Sequence, residues 1–250
     1  MNDKGINNEV VAVPAGARWI WFDLDDTLYD FMGSSAVALR EVYNKYRLDR
    51  YFRDEEHWFE VYHRHNAAMW VLYNAGKIDQ TKLRYDRFYL PLEEGGVPDG
   101  ENRRLNPLLD VDYLNALGST GMLIEGADSV LRHLKSRGYK IGILSNGFKA
   151  VQYQKLASSG IDKYIDCVIL SDAIGINKPH RPIYDYALEQ SGAVAAESVM
   201  IGDNPDTDIA GAVRAGWPAI LFSPRCEQDT IKVEGHEIQV LHTLKPLLNW

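Results

Sequence analysis

Short apolar runs recur along this chain, each ending in a polar or charged cluster, and they constrain the fold more than any other feature. Arg18-Trp19-Ile20-Trp21-Phe22 ends at Asp23. Further runs lie at Tyr139 to Leu144, Cys167 to Leu170, Ser198 to Ile201, Pro218 to Phe222 and Glu237 to Leu241. Runs this short and this apolar read as strands buried on both faces. Between most of them the spacing turns helical. Ala127, Val130, Leu131 and Leu134 share one helix face, and Gly138 supplies the stop. Ile183, Ala187 and Leu188 share another, ended near Gly192, and Ile209, Ala212 and Val213 a third, ended at Gly216. Strands alternating with helices predict parallel pairing and a doubly wound α/β sheet. Ligands of such sheets bind beyond the carboxyl ends of the strands.

The stretch from Tyr29 to about Gly118 breaks this rhythm. It is rich in Tyr, Trp, Arg and His and poor in strand-like runs. Val37, Leu39, Val42, Tyr43 and Tyr46 recur at roughly helical spacing, as do Trp58, Val61 and Tyr62, and later Leu83, Arg87 and Leu90. The pattern predicts about four helices, interrupted at Gly76, at Pro91 and across Gly95 to Gly100. The expected organisation is therefore an N-terminal extension (1–16), an α/β core (17–30 and 119–250) and an all-helical insert (31–118). The Tyr-rich segment from Tyr43 to Tyr51 reads as core or surface of that insert, not as a stacking platform for single strands. His63 and His65 lie two apart, off a common helix face, and are not joint metal ligands.

A net charge of −8 over 250 residues disfavours nucleic-acid polymers and anionic membranes as partners. It does not disfavour a small phosphate ester, because one cation and one lysine reverse the field locally. The two cysteines, Cys167 and Cys226, lack metal-site spacing and are too few for a disulfide framework. A reducing cytoplasm is the expected home. The first residues lack the basic start and apolar core of a secretion signal, and no apolar stretch is long enough to span a bilayer.

Four segments carry chemistry. Asp23-Leu24-Asp25-Asp26-Thr27-Leu28 sets three carboxylates after a buried strand, a costly cluster unless a divalent cation with a taste for hard oxygen ligands offsets it. Asp23 and Asp25, two apart at an extended strand end, project to one side, so that one attacks while the other handles a proton. Ser145-Asn146-Gly147-Phe148 follows a second strand, and its hydroxyl, amide and flexible glycine suit a phosphate oxygen. In Asn177-Lys178-Pro179 the proline keeps Lys178 out of helical geometry, just ahead of a helix start. Gly202-Asp203-Asn204-Pro205-Asp206-Thr207-Asp208 ends another strand. Helix capping accounts for one of its carboxylates, not three. The run also lacks the glycine and terminal glutamate of a calcium loop. Taken singly, each segment has a plain reading: an acidic turn, a Ser-Asn-Gly turn, a solvated lysine, a capped helix.

Together they do not. Acidic pair, hydroxyl, lysine and acidic pair, each at a strand tip, resemble the haloacid dehalogenase superfamily from about Arg18 to Phe222. The insert resembles the helical cap of that superfamily's house-cleaning nucleotidases, which act on pyrimidine or noncanonical nucleoside monophosphates. The matching residues are Asn66-Ala67-Ala68-Met69-Trp70-Val71-Leu72-Tyr73-Asn74-Ala75-Gly76-Lys77-Ile78, Leu83 and Arg87-Phe88, with Ser145 to Phe148 and Ile183 to Gln190 in the core. The departures are Asp26 where glutamate can occur, Ser145 where threonine is frequent, and Asn177 before the lysine.

The resemblance implies Asp23 as covalent nucleophile and Asp25 as acid and base. Mg²⁺ is expected on Asp23, Asp203 and the main-chain oxygen of Asp25, with Asp208 behind them. Ser145, Asn146 and Lys178 are expected to bind the phosphoryl group. The cap is expected to close over the site and select a small phosphorylated metabolite, with Trp70, Tyr73, Arg87 and Phe148 as candidate contacts. A monomer or homodimer is expected. A sugar-phosphate or phosphoglycolate phosphatase or a phosphomutase stays open on the same fold. A dehalogenase would need neither Asp25 nor the metal. A signalling receiver shares the acidic, hydroxyl and Lys-Pro elements but is about half this length and has no helical insert.

Overall fold

A computed structural model describes residues 12–250; the first eleven residues of the expected N-terminal extension lie outside the described part. The chain divides into two compact units. One comprises the residues up to Tyr29, then Leu123–Gly147 and Gly160–Trp250, and the other Asp30–Met122 and Phe148–Ser159.

The first unit is built on a seven-stranded sheet. Its strands are β1 (Trp19–Phe22), β2 (Lys140–Ser145), β3 (Cys167–Leu170), β4 (Ser198–Gly202), β5 (Ala219–Phe222), β6 (Thr230–Val233) and β7 (His236–Leu241), in the order β3-β2-β1-β4-β5-β7-β6. Every neighbouring pair is parallel except β6 with β7. This is the doubly wound α/β core expected from the alternating runs. β1 lies at the centre because its apolar residues are wanted on both faces: Ile20, Trp21 and Phe22 are fully buried. Gly142 on β2 makes room for Trp21, since a Cβ there would come within 2.2 Å of the indole ring. Trp21 in turn packs against Trp217, and Trp217 against Tyr184. The sequence pattern does not reveal β6. Its residues alternate exposed and half-buried on a sheet edge, so it carries no apolar run to find. The hairpin to β7 turns at Glu234 and Gly235, both at positive φ.

The second unit is all helical: α1 (Phe31–Lys45), α2 (Glu55–Asn74), α3 (Gln80–Glu94), α4 (Asp99–Ser119) and α6 (Lys149–Ser159), with α5 (Ala127–Ser136) belonging to the first unit. Three of these helices start on an aspartate that caps them. Asp30, Asp54 and Asp79 accept from the N–H groups of Gly33, His57 and Lys82 at 2.9, 2.8 and 2.7 Å. The tyrosines and tryptophans form a core. Trp58, Tyr62, Phe88 and Tyr113 are buried with successive ring centroids 4.9 to 5.8 Å apart.

Two differences from the expected insert have physical causes. Pro91 does not interrupt a helix but sits within α3, where buried Leu83, Phe88 and Leu92 hold the helix through it. And α6, which lies outside the expected span of the insert, packs with the helices: Gln154 Nε2 donates to Asn115 O and Ser119 Oγ, and Ser158 Oγ to Gly118 O.

The remaining helices of the first unit are α7 (Arg181–Ser191) and α8 (Ala210–Ala215). Each ends on a left-handed glycine, Gly192 and Gly216, as the sequence predicts.

Candidate active site

Asp23 stands immediately past β1, and its N–H still donates to Ile201 O of β4 at 2.9 Å. The sheet ladder therefore fixes its backbone, and the carboxylate emerges at the carboxyl edge of the two central strands. The chain then bends at Leu24, whose carbonyl accepts from both Leu28 and Tyr29. Asp26 takes a left-handed φ of 53°, with its N–H on Tyr29 O. Strand alternation thus stops before Asp25. Asp25 still bears on Asp23 through its charge.

Lys178 pairs with Asp23 and Asp208, and it is 2 % exposed. Its Nζ donates to Asp23 Oδ1 at 2.6 Å and to Leu144 O at the end of β2 at 2.6 Å, and lies 2.7 Å from Asp208 Oδ1. An ammonium has three N–H donors, so these acceptors occupy all of them. Burial works against the lysine's charge, but Asp208 and Asp23 overcome it and hold the group firmly protonated.

The lysine's main chain is held as closely as its side chain. Asn146 Nδ2 donates to Lys178 O at 3.0 Å, and Lys178 N donates to Asn146 Oδ1 at 2.8 Å. Beside it, Ser145 is buried and its Oγ accepts from Gly147 N at 3.1 Å.

Asp208 arrives from the far side on a wide turn, Pro205–Ile209, in which Asn204 O accepts from both Asp208 N and Ile209 N. Asn204 also caps this turn, its Oδ1 accepting from Asp206 N and Thr207 N. Tyr184 Oη, buried on α7, donates to Thr207 O at 2.8 Å and Asp208 O at 3.1 Å. Gly202 lets the turn fold back on the strand, because a Cβ there would meet Asp208 Oδ2 at 2.3 Å.

Asp23, Asp203 and Asp208 each present a carboxylate oxygen within 4.8 Å of the others. One lysine cannot neutralise this many acids. Burial is the main cause that raises Asp23 to about 7; Lys178 pulls it down while Asp208 and Asp25 push it up. Burial also raises Asp203, to about 9, with Asp23 and Asp208 adding to it. A cluster that must take up protons when alone, and that offers only hard oxygens, fits a small divalent cation such as Mg²⁺.

Of the residues singled out from sequence, Asp23, Asp203, Asp208, Lys178 and Asn146 come together here from four strand ends, with Ser145 adjoining Asn146. Leu144 O and Tyr184 also belong to the site without a sequence signal of their own, and Asn204 serves as a cap. A carbonyl leaves no mark in a sequence, and a tyrosine on an apolar helix face looks like core.

The four insert candidates lie in the helical unit. Trp70 stacks on Phe148, with centroids 5.4 Å apart and planes 26° apart, and meets Tyr73 edge-on. Arg87 is 2 % exposed, paired with Asp110 and set 5.4 Å from the rings of Phe88, Tyr113 and Phe148. Arg84, one turn earlier and not among the sequence candidates, joins the same carboxylate through Nε at 2.9 Å.

An open, mostly parallel sheet with carboxylates, a hydroxyl and a lysine at its strand tips sets these groups where ligands of such sheets bind. The chain belongs to the haloacid dehalogenase-like hydrolases, matching that family over residues 17–216. It is 34 % identical to the pyrimidine 5'-nucleotidase YjjG of Escherichia coli (strain K12), over 92 % of this chain and 97 % of that protein. It is 29 % identical to a glyceraldehyde 3-phosphate phosphatase of Methanothermobacter thermautotrophicus, over 91 % and 96 %. The crystal structure of the putative HAD-hydrolase YfnB of Bacillus subtilis, bound to magnesium, superposes with a TM-score of 0.81 at 25 % identity, covering 94 % of this chain and 99 % of that one. Among the described residues, no helix is long and apolar enough to cross a membrane.

Proposed function

We propose that this hydrolase is a Mg²⁺-dependent phosphatase that removes phosphate from a nucleoside 5'-monophosphate through an aspartyl-phosphate on Asp23, in the cytoplasm. The observation that carries the reading is the surplus of carboxylate around one buried lysine: Asp23, Asp203 and Asp208 within 4.8 Å of one another, with Lys178 bridging two of them. A site built to receive a phosphate dianion without a cation would not be lined with acids.

An oxygen of Asp23 attacks phosphorus as the bond to the ester oxygen breaks. Asp25 gives its proton to the departing alkoxide. Water then attacks the phosphoryl group, Asp25 takes up the water's proton, and phosphate leaves with Asp23 regenerated. Splitting one displacement into two lets a carboxylate fixed by the sheet ladder act as nucleophile. Lys178 keeps Asp23 Oδ1 in a single orientation, and Ser145 supplies a hydroxyl to the transferring group. Mg²⁺, held by Asp23, Asp203 and the Asp25 main-chain oxygen with Asp208 behind, would offset the charge on that group.

The nucleotide as leaving group is supported by the likeness to the Escherichia coli nucleotidase and by the Trp70, Tyr73 and Phe148 rings flanked by Arg84 and Arg87. A second reading, a phosphorylated three-carbon sugar, is supported by the likeness to the glyceraldehyde 3-phosphate phosphatase. Phosphate release with Mg²⁺, compared by kcat/KM across pyrimidine and purine monophosphates, sugar phosphates and phosphoglycolate, separates the two. Nucleotides are expected to lead. If sugar phosphates match them, the nucleotidase reading falls and the phosphatase reading stands.

A further inference from the structure

We infer that Asn146 is a positioning residue for Lys178 and acts on the reaction through that lysine. The inference rests on the catalytic reading above for its kinetic consequences, though not for its geometry.

β2 and β3 pair in register from Gly142 with Cys167 to Ser145 with Leu170. Past that point β3 gives way to a tight turn at Ser171–Ala173, and the chain returns at Asn177 and Lys178. Lys178 therefore sits beyond the ladder, with no strand beside it to fix its backbone. Asn146, the first residue after β2, takes the place of that strand. Its side-chain amide sets an N–H beside a C=O, as a peptide edge does, and each faces the lysine's main chain: Nδ2 to Lys178 O at 3.0 Å and Oδ1 from Lys178 N at 2.8 Å. A second tie joins the same loops, Ser171 Oγ to Asn146 O at 3.4 Å.

The consequence lies at the other end of the lysine. Nζ meets its acceptors at 2.6 to 2.7 Å, leaving little slack for a shift in the backbone from which the stem grows. Asn146 and Lys178 are both buried, at 9 % and 2 % exposed. Releasing the clasp would strand a peptide N–H and C=O away from water, and their search for other partners would drag Nζ off Asp23. Asparagine also suits this position by its chemistry. A serine lacks the second group, and an aspartate offers no donor to Lys178 O.

Two readouts on Asn146→Ala test this. The first needs no catalysis: the rate at which an amine-reactive reagent labels Lys178, followed by mass spectrometry of the Mg²⁺-free protein. Labelling is expected to speed up at least ~10-fold, because opening a local contact exposes a buried amine. Unchanged labelling overturns the proposal whatever the enzyme's substrate proves to be.

The second is a double-mutant cycle on phosphate release. Asn146→Ala alone is expected to lower kcat about 10- to 100-fold with KM within about 3-fold, and to cost less than about 2-fold when Lys178 is already alanine. The full loss repeated in the Lys178→Ala background would mean that Asn146 acts on the substrate independently, and the proposal would be wrong. Should Asn146→Ala not fold, Asn146→Ser keeps a neutral hydroxyl in place of the amide; it is expected to show the same pattern at smaller size. A protein that labels as expected but releases no phosphate from any ester would leave the positioning intact and refute the phosphatase reading alone.

Discussion

The molecule buries charge in two places, and it does so with opposite balances. In the helical unit a single carboxylate, Asp110, is shared by two guanidiniums, Arg84 and Arg87. Burial works against the Arg87 charge, but the Asp110 carboxylate offsets it, and aromatic faces surround it. At the strand tips one lysine pairs with two of three clustered carboxylates, and Asp23 and Asp203 are pushed far above the usual carboxylate range. The first carries an excess of positive charge, with Arg84 half-exposed to water and Arg87 Nε buried without a hydrogen-bond partner. The second is short of positive charge and is at ease only with a cation added. Buried charge alone does not mark a functional site; the sign of the imbalance does.

The sharpest way to break this comparison is to remove one acid from the strand tips. Asp23→Asn is expected to lose at least ~10³-fold in kcat while the protein stays folded, an effect of the size seen when an activated nucleophile goes. Near-normal turnover would take Asp23 out of the mechanism. Next in size is the helical unit. Arg87→Leu leaves a buried carboxylate with one half-exposed partner and is expected to lower unfolding free energy by about 3 kcal/mol in urea titrations. Arg84→Leu, whose side chain is 41 % exposed, is expected to cost under about 1 kcal/mol. The reverse order would mean that Arg84 carries the pair.

The contrast sharpens with Asp203→Asn. Above about pH 9, where Asp203 is ionised, it removes surplus charge, so the Mg²⁺-free protein is expected to become more stable there, by about 1 kcal/mol, as function is lost. A Tm below that of the parent would place Asp203 among the structural charges. Smallest is a pH effect. Asp23 and Asp203 hold their protons more tightly folded than unfolded. Their contribution to metal-free stability is therefore full below the ordinary carboxylate range and is lost as pH rises through about 7 and about 9. A cation displaces those protons, so the rise in Tm on adding Mg²⁺ is expected to be larger near pH 9 than near pH 6. A rise that shrinks with pH would contradict the assignment.

Much of the fold is legible in the sequence because it depends on local signals. Five of the six apolar runs are strands of the parallel sheet, and the sixth, His236–Leu241, pairs parallel with β5 and antiparallel with β6. The glycine stops are where the spacing puts them. β6 escapes because an exposed edge needs no apolar run, and α6 because its sequence is mostly polar and its partners are distant in sequence. At the site, the acids and the lysine announce themselves by sitting after strands. How they are held cannot be read in the same way. The two-point clasp of Asn146 on the Lys178 backbone, the Leu144 carbonyl under Nζ, the wide turn that swings Asp208 back over Gly202, and Tyr184 beneath it all arise from three-dimensional closure.

Calorimetric titration of the intact protein with Mg²⁺, beside Asp203→Asn, tests the charge deficit at the strand tips most directly. The parent is expected to take up one ion per chain with release of protons, and Asp203→Asn to bind at least ~10-fold more weakly. No uptake by the parent, or equal uptake by the variant, would contradict the account.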